Sequence, residues 1–158
     1  MQIRHYKEAD ACDITTLFHE SIHAIDRRLY TDQELEAWSP TPPDYEHWQA
    51  RLALKKPFVA VIAGQIVGFI ELDDGGHIDC LYVHKDYQRR GIGQSLLLYL
   101  CDIADQRGYE RLYVEASKAA KPLFDALGFE ILGSNRVERR DCVLTNFSMQ
   151  RAVNALKR

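Results

Sequence analysis

No run of apolar residues in this chain approaches the roughly 18 that a membrane-spanning helix requires, and the N-terminus carries no apolar core of a secretion signal. A soluble, cytoplasmic protein without a membrane partner is expected. Basic residues are not in excess: 20 Lys and Arg against 23 Asp and Glu leave a net charge of −3 and a pI near 6.1. Nucleic-acid binders usually display a basic stripe. Here adjacent basic residues come only as isolated pairs, such as Arg89-Arg90 and Arg139-Arg140, with no longer run, so no nucleic-acid partner is expected. Cysteine is sparse and scattered. Cys12, Cys80, Cys101 and Cys142 lie far apart and form no C-x-x-C pair, which argues against a bound metal. Without a secretory signal the thiols are expected to be reduced and buried. Internal repeats and low-complexity tracts are missing too, and the proline-rich residues 39–43 are too few to separate domains. A single domain over residues 1–158 is expected, large enough to bury roughly 70% of its unfolded surface.

What the chain does have is clear periodicity. Residues 2–6 form a strand-like run, and residues 9–25 carry Ile14, Leu17, Phe18, Ile22 and Ile25 at spacings of three and four, which predicts an amphipathic helix. Thr31 can cap a helix over residues 33–38 with Glu34 as its reciprocal partner, and Ser39-Pro40 ends it. A helix is predicted over residues 45–54. β-rich runs over 58–63 and 66–72 flank Gly64-Gln65, which predicts a hairpin with a two-residue turn. A strand over 77–83 leads to a helix over 92–106 stopped by Gly108, then to a strand over 110–115. That strand–helix–strand order predicts a parallel βαβ unit. Residues 129–132 and 142–150 are expected to form a final antiparallel pair.

The most informative segment joins the predicted strand ending at Val83 to the helix beginning near Ile92 through His84-Lys85-Asp86-Tyr87-Gln88-Arg89-Arg90-Gly91. Gly91 and Gly93 free the backbone to approach a ligand, the helix start adds unpaired amides and a positive dipole end, and Arg89 and Arg90 add charge. Such a turn suits a phosphate. A triphosphate P-loop would need lysine after its second glycine, but Gln94 and Ser95 follow Gly93. The dinucleotide fingerprint would need a glycine where Leu96 stands. The pattern that remains is Q/R-x-x-G-x-G/A, matched by Gln88 to Gly93. It resembles the acetyl-coenzyme A pyrophosphate loop of the GNAT N-acetyltransferase superfamily.

The resemblance extends over nearly the whole chain. Residues 110–115, Ser117 and the run from Ala119 to Leu127-Gly128-Phe129 look like the family's fifth strand, fourth helix and closing Leu-Gly-Phe. The segment from Tyr30 to Pro40 and the late Asn146-Phe147-Ser148-Met149 are similar to a bacterial YafP-like branch. The resemblance implies an α/β (α+β) fold: a single GNAT-type domain with a mixed central sheet of about six to seven strands, flanked by helices, and a parallel βαβ cofactor cleft. It implies transfer of an acetyl group from acetyl-coenzyme A to a primary amine by direct attack in a ternary complex. The acceptor would be a small molecule or a peptide, and the protein a monomer or homodimer. Two rival readings are a non-catalytic acyl-coenzyme A sensor and a protein-interaction module.

Several residues take roles from the same resemblance. The backbone of Leu81, Tyr82 and Val83 would pair with the pantetheine arm. The pyrophosphate would sit on Gln88, Arg89, Arg90, Gly91, Ile92, Gly93, Gln94 and Ser95. Ser117 would contact the pantetheine or cap the following helix. Acyl transfer needs an unprotonated amine, hence a base. Asp79 is the leading candidate, since strand alternation would set it on one face with Leu81 and Val83, and Glu71 is the second. Either carboxylate could instead attract a cationic substrate. Where much of the family carries a tyrosine as general acid, four residues before the Leu-Gly-Phe glycine, this chain has Phe124, which can contact cofactor but donate no proton. Tyr82 or Tyr113 would have to substitute, or water. Tyr30 and Trp38 lie in the segment that would wall the acceptor site.

Overall fold

The structure is a computed structural model and describes residues 1–156. One seven-stranded mixed sheet runs in the order β1-β2-β3-β4-β5-β7-β6. Its strands are β1 (Gln2–His5), β2 (Phe58–Ile62), β3 (Gln65–Asp73), β4 (His77–Val83), β5 (Arg111–Ser117), β6 (Glu130–Arg139) and β7 (Cys142–Ala152). The helices are α1 (Ala11–His23), α2 (Asp32–Trp38), α3 (Tyr45–Lys55), α4 (Ile92–Gln106), α5 (Lys121–Ala126) and α6 (Val153–Leu156). All pairings are antiparallel except β4 with β5.

Each face of the sheet has its own core. On one face α4 lays Leu96, Leu97, Leu100 and Ala104, all fully buried, against Ile70, Ile78, Leu112 and Val114. Burying one such leucine contributes about 2 kcal/mol. Gly68 permits this contact, because a Cβ there would stand 3.0 Å from Leu96 Cδ1 and 3.2 Å from Ile92 Cγ2. On the other face α1, α2 and α3 set Ile14, Phe18, Ile22, Leu35 and Leu52 over Val59, Phe69 and Cys80. The capping box predicted for α2 is present: Thr31 Oγ1 accepts from the Glu34 amide at 3.1 Å, and Glu34 Oε1 accepts from the Thr31 amide at 2.8 Å.

Three expectations change. The β2–β3 turn is Ala63-Gly64, not Gly64-Gln65, since both turn residues take positive φ, +49° and +79°, as a two-residue turn matched to strand twist demands. Strand β6 runs to Arg139 rather than ending at residue 132, because an edge strand exposed on nearly every residue needs no apolar alternation. Most consequential, β4 carries a bulge. Ile70 pairs with Leu81 and Leu72 with Ile78, so Asp79 and Cys80 together oppose Glu71. Leu81 and Val83 therefore pack toward the α4 core, Cys80 and Tyr82 toward the α1 core, and Asp79 reaches α3. Simple alternation would have placed Asp79 with Leu81 and Val83.

Candidate active site

The parallel strands β4 and β5 pair only at His77 with Tyr113 and Ile78 with Val114, then separate. A cavity of about 560 Å³ opens between them. Leu81, Tyr82 and Val83 line one side, and Ser117, Ala120 and Leu123 the other. In an antiparallel ladder the N–H and C=O of one residue point the same way and alternate along the strand. Val83 O accepts from Gln88 Nε2 at 2.6 Å, on the side away from β3, so the polar backbone groups of Leu81 also face the opening.

The glycine loop closes one end. Gln88 is extended, Arg89 is left-handed at φ +61° and Gly91 at +79°. The first bond of α4 is Ser95 N to Gly91 O at 3.0 Å, and among the described residues the amides from Arg89 to Gln94 meet no backbone carbonyl. These free donors at a helix start form an anion cradle. The two glycines serve differently. A Cβ on Gly91 would meet nothing within 4 Å, whereas one on Gly93 would stand 3.0 Å from Leu123 Cδ2, so Gly93, helical in conformation, seats α4 against α5. The Ile92 side chain is core. Arg89 lines the cavity, while the Arg90 guanidinium lies 4.9 Å above the Tyr87 ring. Gln94 is exposed, Ser95 half-buried. Ser117 lines the cavity and its Oγ accepts from the Ala120 amide at 3.1 Å, so it serves the entry to α5 as well.

Other predicted residues lie elsewhere. Glu71 is fully buried, its Oε2 bonded to Arg51 Nη1 at 2.5 Å and its Oε1 without a partner. Burial pushes its carboxyl up, against the pull of Arg51. Asp79 Oδ2 accepts from Arg51 Nη2 at 2.8 Å and lies 2.7 Å from Lys55 Nζ. Neither carboxylate lines the cavity, because the bulge turns Asp79 under α3. Phe124 is 1% exposed, packed edge-on to Phe129 in the α4 core, and does not touch the cavity. Tyr30 is a strut rather than a wall: buried, it accepts from the Lys118 amide at 2.9 Å and donates to Thr145 O at 3.2 Å. Its ring props Trp38, 5.4 Å away, which does line the cavity.

Tyr82 is the one predicted catalytic residue at the cavity. Its half-buried ring meets Phe18 edge-on at 4.8 Å and stacks on Phe69 at 5.8 Å. Burial pushes its hydroxyl well above the ordinary phenol value, so it stays protonated at neutral pH. Sequence reasoning missed Asp26, a carboxylate in the lining that is held down to about 2 by the Arg28 guanidinium and amide. Its sequence neighbour Arg28 was the available signal. A second hollow of about 350 Å³, beside His5, Tyr6 and Lys56, lies at the far edge of the sheet.

Residues 27–151 match the family model of the acetyltransferase (GNAT) domain. The chain belongs to the GNAT acetyltransferase family. This GNAT domain is 34% identical to the uncharacterized N-acetyltransferase YafP of Escherichia coli K12 over 150 residues, 95% of each chain. In structure it is similar to the GCN5-related N-acetyltransferase (aminotransferase, class-II) of Rhodopseudomonas palustris, with a TM-score of 0.90, 32% identity and coverage of 96% and 94%. The phosphinothricin acetyltransferase of Sinorhizobium meliloti, in complex with AcCoA, shares the fold at a TM-score of 0.72 and 20% identity, covering 96% and 87%. No helix among the described residues of this GNAT domain is long and apolar enough to cross a membrane.

Proposed function

We propose that this N-acetyltransferase transfers acetyl from acetyl-coenzyme A to a primary amine of a small molecule or peptide, by direct attack with both substrates bound. The observation that carries the reading is the coincidence of the six free loop amides with the Leu81–Val83 edge of β4, which pairs with no strand on its β5 side. The residues fit the group. Arg89 to Gln94 would hold its pyrophosphate, with Gly91 leaving the space open, and the Leu81 backbone and Ser117 would hold its pantetheine arm. When bound, acetyl-coenzyme A supplies an activated thioester.

The side chains favour an acid more than a base. Tyr82, protonated and at the cavity, can offer its O–H as a hydrogen-bond donor to the departing thiolate in place of the absent family tyrosine at Phe124, while its upward shift makes it a weaker acid than an ordinary phenol. Asp79 and Glu71 are spent on Arg51 and hold the bulge. Asp26, depressed to about 2, is too weak a base to take an ammonium proton. We assign that proton to water entering from the cavity mouth. Trp38 and Tyr82 give the acceptor end an aromatic wall.

The test is thiol release from acetyl-coenzyme A over a panel of amines and N-terminal peptides. Amine-dependent release supports transfer. Tight coenzyme A binding with no release on any amine would favour the sensor reading, which the phenylalanine at position 124 keeps specific to this chain.

A further inference from the structure

The cleft has a vertex after the Ile78–Val114 pair, and a His77 side-chain bridge spans it. His77 opens β4, facing Tyr113 in the two-pair parallel ladder with β5. Its Nδ1 lies 3.1 Å from Asp73 Oδ2 on β3 and its Nε2 2.9 Å from Glu115 Oε1 on β5. Glu115 directly follows the last β5 residue paired with β4, so this bond spans the point where the strands begin to part. The backbone behind is equally tight: a Cβ on Gly76 would stand 2.1 Å from Arg111 O.

We propose that His77 is a positioning residue whose bridge from Asp73 to Glu115 rivets the vertex and so sets the opening of the coenzyme A cleft, closed by the imidazolium and relaxed by the neutral ring. The proposal rests on the reading that the cleft takes acetyl-coenzyme A. A neutral imidazole has one N–H and one lone pair, so it can donate to only one of the two carboxylates, and its other nitrogen then faces an oxygen it cannot bond. Protonation makes both contacts charge-assisted.

The surrounding charge favours that form. From β3 comes Asp73, from β4 Asp79, and from β5 Glu115 and the Tyr113 ring at 5.0 Å. From α3 comes Lys55, whose Nζ lies 2.8 Å from Asp73 and 2.7 Å from Asp79, with Arg51 on the far side of Asp79. Arg111 stacks on Tyr113 at 4.5 Å. Burial works against the imidazolium, but Asp73 and Glu115 outweigh it and the net direction is upward. Asp73, His77 and Asp79 also stand close enough to enclose a metal ion, but the Lys55 ammonium already holds the cation's place between the two carboxylates. The sign follows: a raised imidazole favours the riveted form at low pH, and the rivet is lost as pH rises through the folded-state value.

The experiment is calorimetric titration with coenzyme A from pH 6 to pH 9 for wild type, His77→Gln and Glu115→Gln. Comparison with the variants cancels the ionisation of the coenzyme's own phosphate. Wild-type affinity is expected to fall about tenfold more than that of His77→Gln over this range, the scale of one charge-assisted hydrogen bond. Glu115→Gln is expected to move the wild-type midpoint downward. Superimposable pH profiles for all three would overturn the proposal while leaving the cofactor reading intact, whereas no binding by wild type removes both. Should a variant fail to fold, NMR titration of the wild-type His77 ring provides the reciprocal readout. Coenzyme A should raise its midpoint, and an unmoved midpoint overturns the rivet.

Discussion

Replacing Arg51 by methionine removes the cation that two carboxylates share, and the cost can be worked from their surroundings. Glu71 is 0% exposed, its Oε1 has no partner, and its Oε2 would lose the 2.5 Å contact to Arg51. An unpaired buried charge costs about 3–5 kcal/mol. The carboxylate can escape by taking a proton. From its ordinary value of 4.5, holding that proton at pH 7 costs about 1.36 kcal/mol for each of roughly 2.5 pH units, or about 3.4 kcal/mol. That figure caps the ionic penalty. At pH 5.5 the same proton costs about 1.4 kcal/mol, so the deficit should shrink as pH falls. The exposed half of the network, Asp79, adds less than about 1 kcal/mol. Urea unfolding at the two pH values measures this directly, and the pH 7 loss corresponds to a Tm roughly 10 °C lower. Adding Glu71→Gln should recover most of the loss and abolish its pH dependence. A loss below about 1 kcal/mol at pH 7, or one equal at both pH values, would refute the claim that the Arg51 pair offsets the burial of the Glu71 carboxyl.

Other substitutions probe separate parts of the site. Gly76→Ala combines a φ of +100° with the 2.1 Å approach to Arg111 O, and should cost about 3 kcal/mol or more in thermal or urea unfolding. Tyr82→Phe should lower kcat about tenfold with little change in KM for acetyl-coenzyme A, since the ring packing survives and the proposed O–H donor does not. Phe124→Tyr should not raise kcat. It should cost about 1–3 kcal/mol, because at 1% exposure the new hydroxyl would be buried without a partner.

The elements set by strong periodicity were legible in the chain: the α1 and α4 faces, the Thr31 capping box and the parallel β4–β5 unit all stand where spacing put them. The glycine loop was legible because Gly91 must take a positive φ at a helix start. The bulge at Asp79-Cys80 was not. It is a register property of two strands, and it moved Asp79 to the opposite face from the one alternation implied. The exposed edge strand β6 lacked a buried face to mark its length. Tyr30 could not be told from Trp38 by sequence, since both are aromatic and the choice between strut and wall depends on partners 88 and 115 residues away. His77 carried only half of its signal locally, in Asp73 four residues before it, because its second carboxylate on β5 lies 38 residues on.

The central claim is tested most directly by titrating the purified protein calorimetrically with acetyl-coenzyme A, with NADP as the comparison and Gly91→Glu as the variant. The account predicts micromolar binding of acetyl-coenzyme A, none of NADP, and loss of at least about tenfold in the variant, whose carboxylate would project into the open space before the free amides. Equal affinity for acetyl-coenzyme A in wild type and Gly91→Glu, or no binding by wild type, would contradict it.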